Sequence, residues 1–164
     1  MKDRAKLYFM CGKMAAGKST HAKVLAQAKH AVLIVQDEFL AALYPGDILT
    51  IPDFVKYSAR LRDALSPHIK ALLSRGVSVV LDFPGNTRVQ RQWFREMFEG
   101  VDVEHELHFI DTPNDLCKRQ LKQRSAALPA GSAWTTDAEF DAITAYFQVP
   151  ADDEKFNVIR HERT

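Results

Sequence analysis

Cysteine is scarce in this chain, and so are long apolar runs and any surplus of charge. Only Cys11 and Cys117 occur, far apart and in no metal-like spacing. That argues against a disulfide framework and a cysteine-bound zinc, and predicts two reduced, partly buried thiols. No apolar run approaches the ~18 residues needed to span a bilayer. The stretch Met1–Lys6 also lacks the apolar run that makes a signal peptide. These absences predict a cytoplasmic protein with no membrane partner. Lys and Arg number 22 against 21 Asp and Glu, a net charge of +1, so no global basic field draws the chain to nucleic acid. Local basic clusters do occur at 88–95 and 118–124. Repeats, low-complexity stretches and dividing linkers are missing, so residues 1–164 read as a single domain, 46% hydrophobic and 26% charged.

Short apolar runs alternate with helical segments. Lys6–Cys11, Ala31–Val35, Val77–Phe83, Val103–Ile110 and Asn157–His161 have strand length and β-branched or aromatic content. Helices are expected over Gly17–Lys29 and from Thr50 to Gly76, the latter kinked or split at Pro67. Others are expected after Thr87, with Val89, Trp93 and Met97 at four-residue intervals, and after Thr112, with Pro113 at the first position. A last one starts at Thr136, with Phe140, Ile143 and Phe147 inward. Near-continuous apolar strands between helices predict an α/β sandwich: a parallel sheet covered on both faces, with ligands at the carboxyl ends of its strands.

One motif is complete. Gly12-Lys13-Met14-Ala15-Ala16-Gly17-Lys18-Ser19 satisfies G-x-x-x-x-G-K-[ST] between an apolar strand and a helix. Glycines let successive N–H groups turn inward around a phosphate, and the helix start adds its positive end. Lys18 is placed for the β- and γ-phosphates, the Ser19 hydroxyl for Mg²⁺, and Thr20 for the α-phosphate, which predicts ATP with Mg²⁺. Ala15 stands where a further glycine is common and restricts the backbone there. The guanine-reading N-K-x-D motif is missing.

Acidic residues close the other strands. Asp37 follows the second strand, where a carboxylate takes the proton of an attacking hydroxyl, positions that hydroxyl, or caps the helix Glu38–Leu43. Asp82 ends the third strand as a carboxylate that orients Mg²⁺, serves the acceptor, or makes a turn. Asp111, before Thr112-Pro113, reads as a turn and cap. Arg119, Lys122 and Arg124 precede the small-residue stretch Ser125–Ser132, read as a hinged flap within a lid around 115–135; as a group they suit phosphate clamping. Asn86 and Arg88, with Arg91 less so, are candidate substrate-binding residues. Trp93 and Trp134 read as core. His21 reads as surface or supporting, and the other histidines, His105 and His108 included, show no metal-binding pattern.

Together these residues resemble small P-loop kinases of the polynucleotide-kinase and zeta-toxin type, including bacterial AAA-family ATP-binding proteins of unassigned substrate. The resemblance rests on Gly12–Thr20, Asp37-Glu38-Phe39-Leu40, Val79–Asp82 with Gly85–Arg88, Arg91–Phe94, His108–Pro113, and Cys117-Lys118-Arg119 with Arg124. It implies a five-stranded sheet in the order 2-3-1-4-5. It also implies Asp37 as general base, Arg119 and Arg124 as lid arginines, and Asp82 on the acceptor or the metal. No ring-forming motor module is visible. The expectation is a kinase moving the γ-phosphate of ATP to a hydroxyl. The near-neutral charge favours a small-molecule acceptor over a nucleic-acid 5′ end, and no obligate protein partner is evident. The alternative is a nucleotide-dependent regulatory ATPase without an acceptor.

Overall fold

The computed structural model describes residues 4–127 and 135–164. Five parallel strands, β1 (Lys6–Cys11), β2 (Val32–Val35), β3 (Val79–Asp82), β4 (Glu104–Asp111) and β5 (Val158–Glu162), form one sheet in the order β2-β3-β1-β4-β5. This is the order the resemblance implied. Helices α1 (Lys18–Ala28), α2 (Gln36–Leu43), α3 (Ile51–Ser74), α4 (Arg88–Phe98), α5 (Asn114–Ala126) and α6 (Asp137–Thr144) connect and flank it.

The pleat of β1 sorts its side chains between two cores. Leu7, Phe9 and Cys11 join Leu61, Ile69 and Leu73 of α3 and Phe94 and Met97 of α4. Tyr8 and Met10 face Ala22, Leu25 and Ala26 of α1. Because β1 is buried on both faces, its run is apolar throughout, and the loop that follows it is held by a rigid strand.

Several helices differ from expectation. α3 is one helix through Pro67 and not two shorter ones; the Ser66 hydroxyl donates to the Arg62 carbonyl at 2.6 Å and accepts from Trp93 Nε1 at 3.0 Å, anchoring this stretch to α4. The inward face of α4 is Arg91, Phe94 and Met97, while Val89 is exposed. In α6, Phe140 is buried but Ile143 is exposed. Pro113 occupies the N-cap of α5 instead of its first helical position, because the Thr112 hydroxyl is turned to the phosphate loop. Asp111 is an ion-pair partner of Arg160, with Nε 3.0 Å away, and caps nothing. Trp134 and part of the flap lie outside the described residues. Among the described residues, no helix is long and apolar enough to cross a membrane.

The candidate phosphate-binding site

The loop between β1 and α1 has its outer carbonyls pinned by side chains. The Ala16 carbonyl accepts from Thr112 Oγ1 at 2.8 Å and from Arg163 Nη1 at 2.6 Å. Gln120, its amide oriented to satisfy both neighbours, donates to the Ala15 carbonyl at 2.6 Å and accepts from Arg163 Nη2 at 3.0 Å. The Gly12 N–H donates to Asn86 Oδ1 at 2.9 Å. The Ala16 N–H closes a turn on the Lys13 carbonyl at 3.1 Å, so the loop is held in a compact bend of the kind that turns backbone N–H groups toward an anion. Ala15 adopts φ 59, the left-handed position a glycine would fill without strain. Gly17 sits at φ 107, and a Cβ there would come within 2.6 Å of Arg163 Nη1. Gly17→Ala is therefore expected to cost about 1–2 kcal/mol in urea unfolding, with a weakened loop; unchanged stability would show that the loop relaxes freely.

Lys18 is half-buried, and its ammonium donates to the carbonyls of Gly12 and Lys13. Burial pulls its pKa below the ordinary lysine value, against the pull of nearby acidic groups including Asp82 and Asp37. The Ser19 hydroxyl donates to Asp82 Oδ2 at 2.7 Å. A hydroxyl beside a carboxylate is a hard oxygen pair, the donor type that Mg²⁺ selects. β2 pairs with β3 so that Val35 lies beside Asp82, and Asp37 follows two residues later. Asp37 sits in the first turn of α2 with its cap position taken by Val35, so the capping reading fails. Partial desolvation and the Asp82 carboxylate raise the Asp37 pKa above the ordinary 3.8, opposed by Lys18.

One cavity of about 460 Å³ is lined by Lys13 to Ser19, Asp37, Asp82, Asn86 and Arg124. A second, of about 830 Å³, shares Gly17 and Arg124 with it and adds Thr20, Gln120 and Arg163. Two candidates are not brought here. Arg119 lines neither cavity, because Cys117, Gln120, Leu121 and Arg124 form the inner stripe of α5 and Arg119 falls on the opposite side of the helix. Arg88 starts α4 with its guanidinium paired to Asp153, Nη1 to Oδ1 at 3.0 Å, away from the cleft. Asn86 lines the cleft, but its side-chain oxygen is committed to Gly12.

Arg91 is a structural pivot. It is fully buried, with Nε and Nη2 on the Glu154 carboxylate at 2.8 and 3.0 Å and Nη1 on the Gly85 carbonyl at 2.9 Å. A Cβ on Gly85 would meet the Met10 carbonyl at 2.5 Å, so the chain presses against β1 where Asn86 reaches Gly12. Glu154 thus supports the phosphate loop through Arg91, Gly85 and Asn86. Arg163, a lone arginine after the last strand, carried no sequence signal, yet it braces the other side of the loop.

A family model described as AAA domain matches residues 7–150. No curated protein matches the chain. Solved structures share the fold at low identity. A Chloroflexus aurantiacus protein assigned as a kinase is 16% identical, with 98% of this chain and 89% of that one covered at a TM-score of 0.75. The Mycobacterium tuberculosis APS kinase CysC, in complex with AMPPNP and APS, is 20% identical over 98% and 91%, TM-score 0.65. A chain of the Pnkp1/Rnl/Hen1 RNA repair complex is 19% identical over 93% of this chain and 46% of that one, TM-score 0.70. The fold is that of P-loop kinases.

Proposed function

This chain belongs to the AAA_33 family of AAA domains, and from that membership and its cleft we propose an ATP-dependent phosphotransferase acting on a hydroxyl of a small molecule. The observation that carries the reading is that one cavity gathers Lys18 and Ser19 with Asp82 and Asp37. In this reading the loop N–H groups and Lys18 hold the β- and γ-phosphates, and Thr20 reaches the α-phosphate. The neighbouring 830 Å³ cavity takes the nucleoside. Ser19 and Asp82 would hold Mg²⁺, which when bound neutralises charge between the β- and γ-phosphates. Asp37 accepts the acceptor's hydroxyl proton as that oxygen attacks the γ-phosphorus in line and ADP leaves. Burial and the Asp82 carboxylate raise its pKa above the ordinary aspartate value, which makes it a stronger proton acceptor. Arg124, near the end of α5, supplies positive charge to the transferring group.

The acceptor side is compact and partly apolar. A cavity of about 450 Å³ adjoins the cleft through Lys13, Asn86 and Gln90 and is walled by Ile51, Tyr146 and Phe147. Such walls suit an acceptor with an apolar body better than a polyanionic strand. Equilibrium binding checks the donor half. Wild-type chain is expected to bind ATP more tightly with Mg²⁺ than without, and Lys18→Ala to lose at least about tenfold in affinity, the effect of roughly one charged hydrogen bond. ATP binding that ignores both Mg²⁺ and Lys18 would sink the assignment.

A further inference from the structure

His21 of α1, His108 of β4 and His161 of β5 lie far apart in sequence, but their ring nitrogens meet within 4.8 Å of one another. His21 Nε2 is 3.0 Å from His108 Nδ1, and His161 Nε2 is 2.9 Å from the same atom. An imidazole nitrogen carries one hydrogen or one in-plane lone pair. His108 Nδ1 therefore satisfies one neighbour well and leaves the other short. His108 is buried, 5% exposed, and its second nitrogen, Nε2, has no hydrogen-bond partner. Glu106 Oε2 is also buried without a hydrogen-bond partner; Lys6 Nζ pairs with it at 3.7 Å, and His108 Nε2 stands 4.0 Å from it.

One occupant resolves all of these frustrations. We propose that His21, His108 and His161 bind a borderline divalent transition-metal ion of the Zn²⁺ class, with an open coordination position facing the 830 Å³ cavity that His21 and His161 line. Metal–nitrogen bonds of about 2.0–2.1 Å in tetrahedral geometry separate ligand nitrogens by about 3.3–3.4 Å. The observed 2.9 and 3.0 Å spacings need to open by only a few tenths of an ångström. Ligation through His108 Nδ1 places the ring proton on Nε2, facing Glu106. Closing their 4.0 Å gap to hydrogen-bond distance would give the carboxylate–histidine–metal arrangement in which the carboxylate fixes the tautomer and raises ligand basicity. Three neutral imidazoles select Zn²⁺, Co²⁺ or Ni²⁺ over Mg²⁺, so this site and the Ser19–Asp82 oxygen pair, two residues apart on α1, are chemically orthogonal. The ion ties the edge strand β5 to the helix that follows the phosphate loop. The site borders the 830 Å³ cavity assigned above to the nucleoside, but none of its ligands comes from the Lys18, Ser19, Asp37 and Asp82 set, so it is tested without ATP.

The test is a titration of metal-stripped full-length chain with Co²⁺ alone, then with Zn²⁺, in excess Mg²⁺. The expected result is one equivalent bound, with visible d–d absorption and no sulfur-to-metal charge-transfer band, and displacement by Zn²⁺ with a raised Tm. His161→Gln and His21→Gln should each abolish stoichiometric binding. Glu106→Gln should weaken it about 10–100-fold while leaving one equivalent bound at saturation. Circular dichroism checks that each variant is folded. The wild-type spectrum needs no variant: a thiolate band from Cys11 or Cys117, displacement by Mg²⁺, or no stoichiometric uptake overturns the proposal. Binding unaltered in folded His161→Gln and His21→Gln does so as well.

Discussion

Asp37→Asn is expected to slow phosphoryl transfer by about 10²–10⁴-fold, the range a positioned general base contributes, while ATP affinity stays close to wild type. The separation follows from where the residue sits. Asp37 lies in the first turn of α2, two positions beyond the residue paired with Asp82, and shares the cleft with Lys18 and Ser19. Asparagine keeps the size and loses the proton-accepting charge. The pH dependence runs the same way. Desolvation and Asp82 raise the Asp37 pKa above 3.8, and with Asp37 as the proposed base transfer requires the ionised form. The acid limb of kcat/KM therefore lies above the ordinary aspartate range in wild type, with activity rising as pH increases through it, and Asp37→Asn removes that limb. A variant with transfer unchanged would assign the proton to another group.

Glu154→Ala is expected to destabilise the chain by about 3–5 kcal/mol, the cost of stranding one partner of a buried ion pair. Arg91 is fully buried and its bidentate partner is Glu154. Burial works against the Glu154 charge, but its bonds to Arg91 and the Ala151 N–H outweigh that and hold its carboxyl below the usual range. The stabilisation is thus present above the unfolded glutamate pKa and lost as pH falls through the folded one. Chemical unfolding near neutral pH measures the cost. Arg91→Leu combined with Glu154→Leu should recover much of it, because an apolar pair leaves no buried charge. Since Arg91 also fixes Gly85 beside Asn86, the single variant should weaken ATP binding even where it remains folded. A loss under about 1 kcal/mol would mean that water reaches Arg91.

Legibility in the sequence followed the range of the physics. Local patterns survived: the apolar β1 run, the G-x-x-x-x-G-K-S loop, the caps at Thr50, Thr87 and Thr136, and the aspartates at strand ends. The α4 stripe was misread because Val89 and Trp93 obey helical spacing as well as Phe94 and Met97 do. An arginine is not expected to be the innermost residue of a helix until its partner, 63 positions away, is in place. Arg119 and Arg124 looked equivalent, yet five residues of helix separate their directions by more than a right angle. Arg163 and the histidine cluster were invisible for the same reason as Glu154. The cluster depends on β4, β5 and α1 meeting, and Arg163 on the chain after β5 reaching the phosphate loop and α5, which no window of sequence displays.

If Gly12–Thr20 forms the donor half of a phosphotransfer site, the fate of the γ-phosphate reveals it. ATP labelled at the γ-position is incubated with the chain, Mg²⁺ and a panel of hydroxyl acceptors that includes 5′-hydroxyl oligonucleotides. The expected result is label in a small-molecule phosphomonoester, lost with Lys18→Ala and strongly slowed with Asp37→Asn. Label that appears only as inorganic phosphate, at a rate no acceptor alters and Asp37→Asn does not change, would contradict it and identify a regulatory ATPase instead.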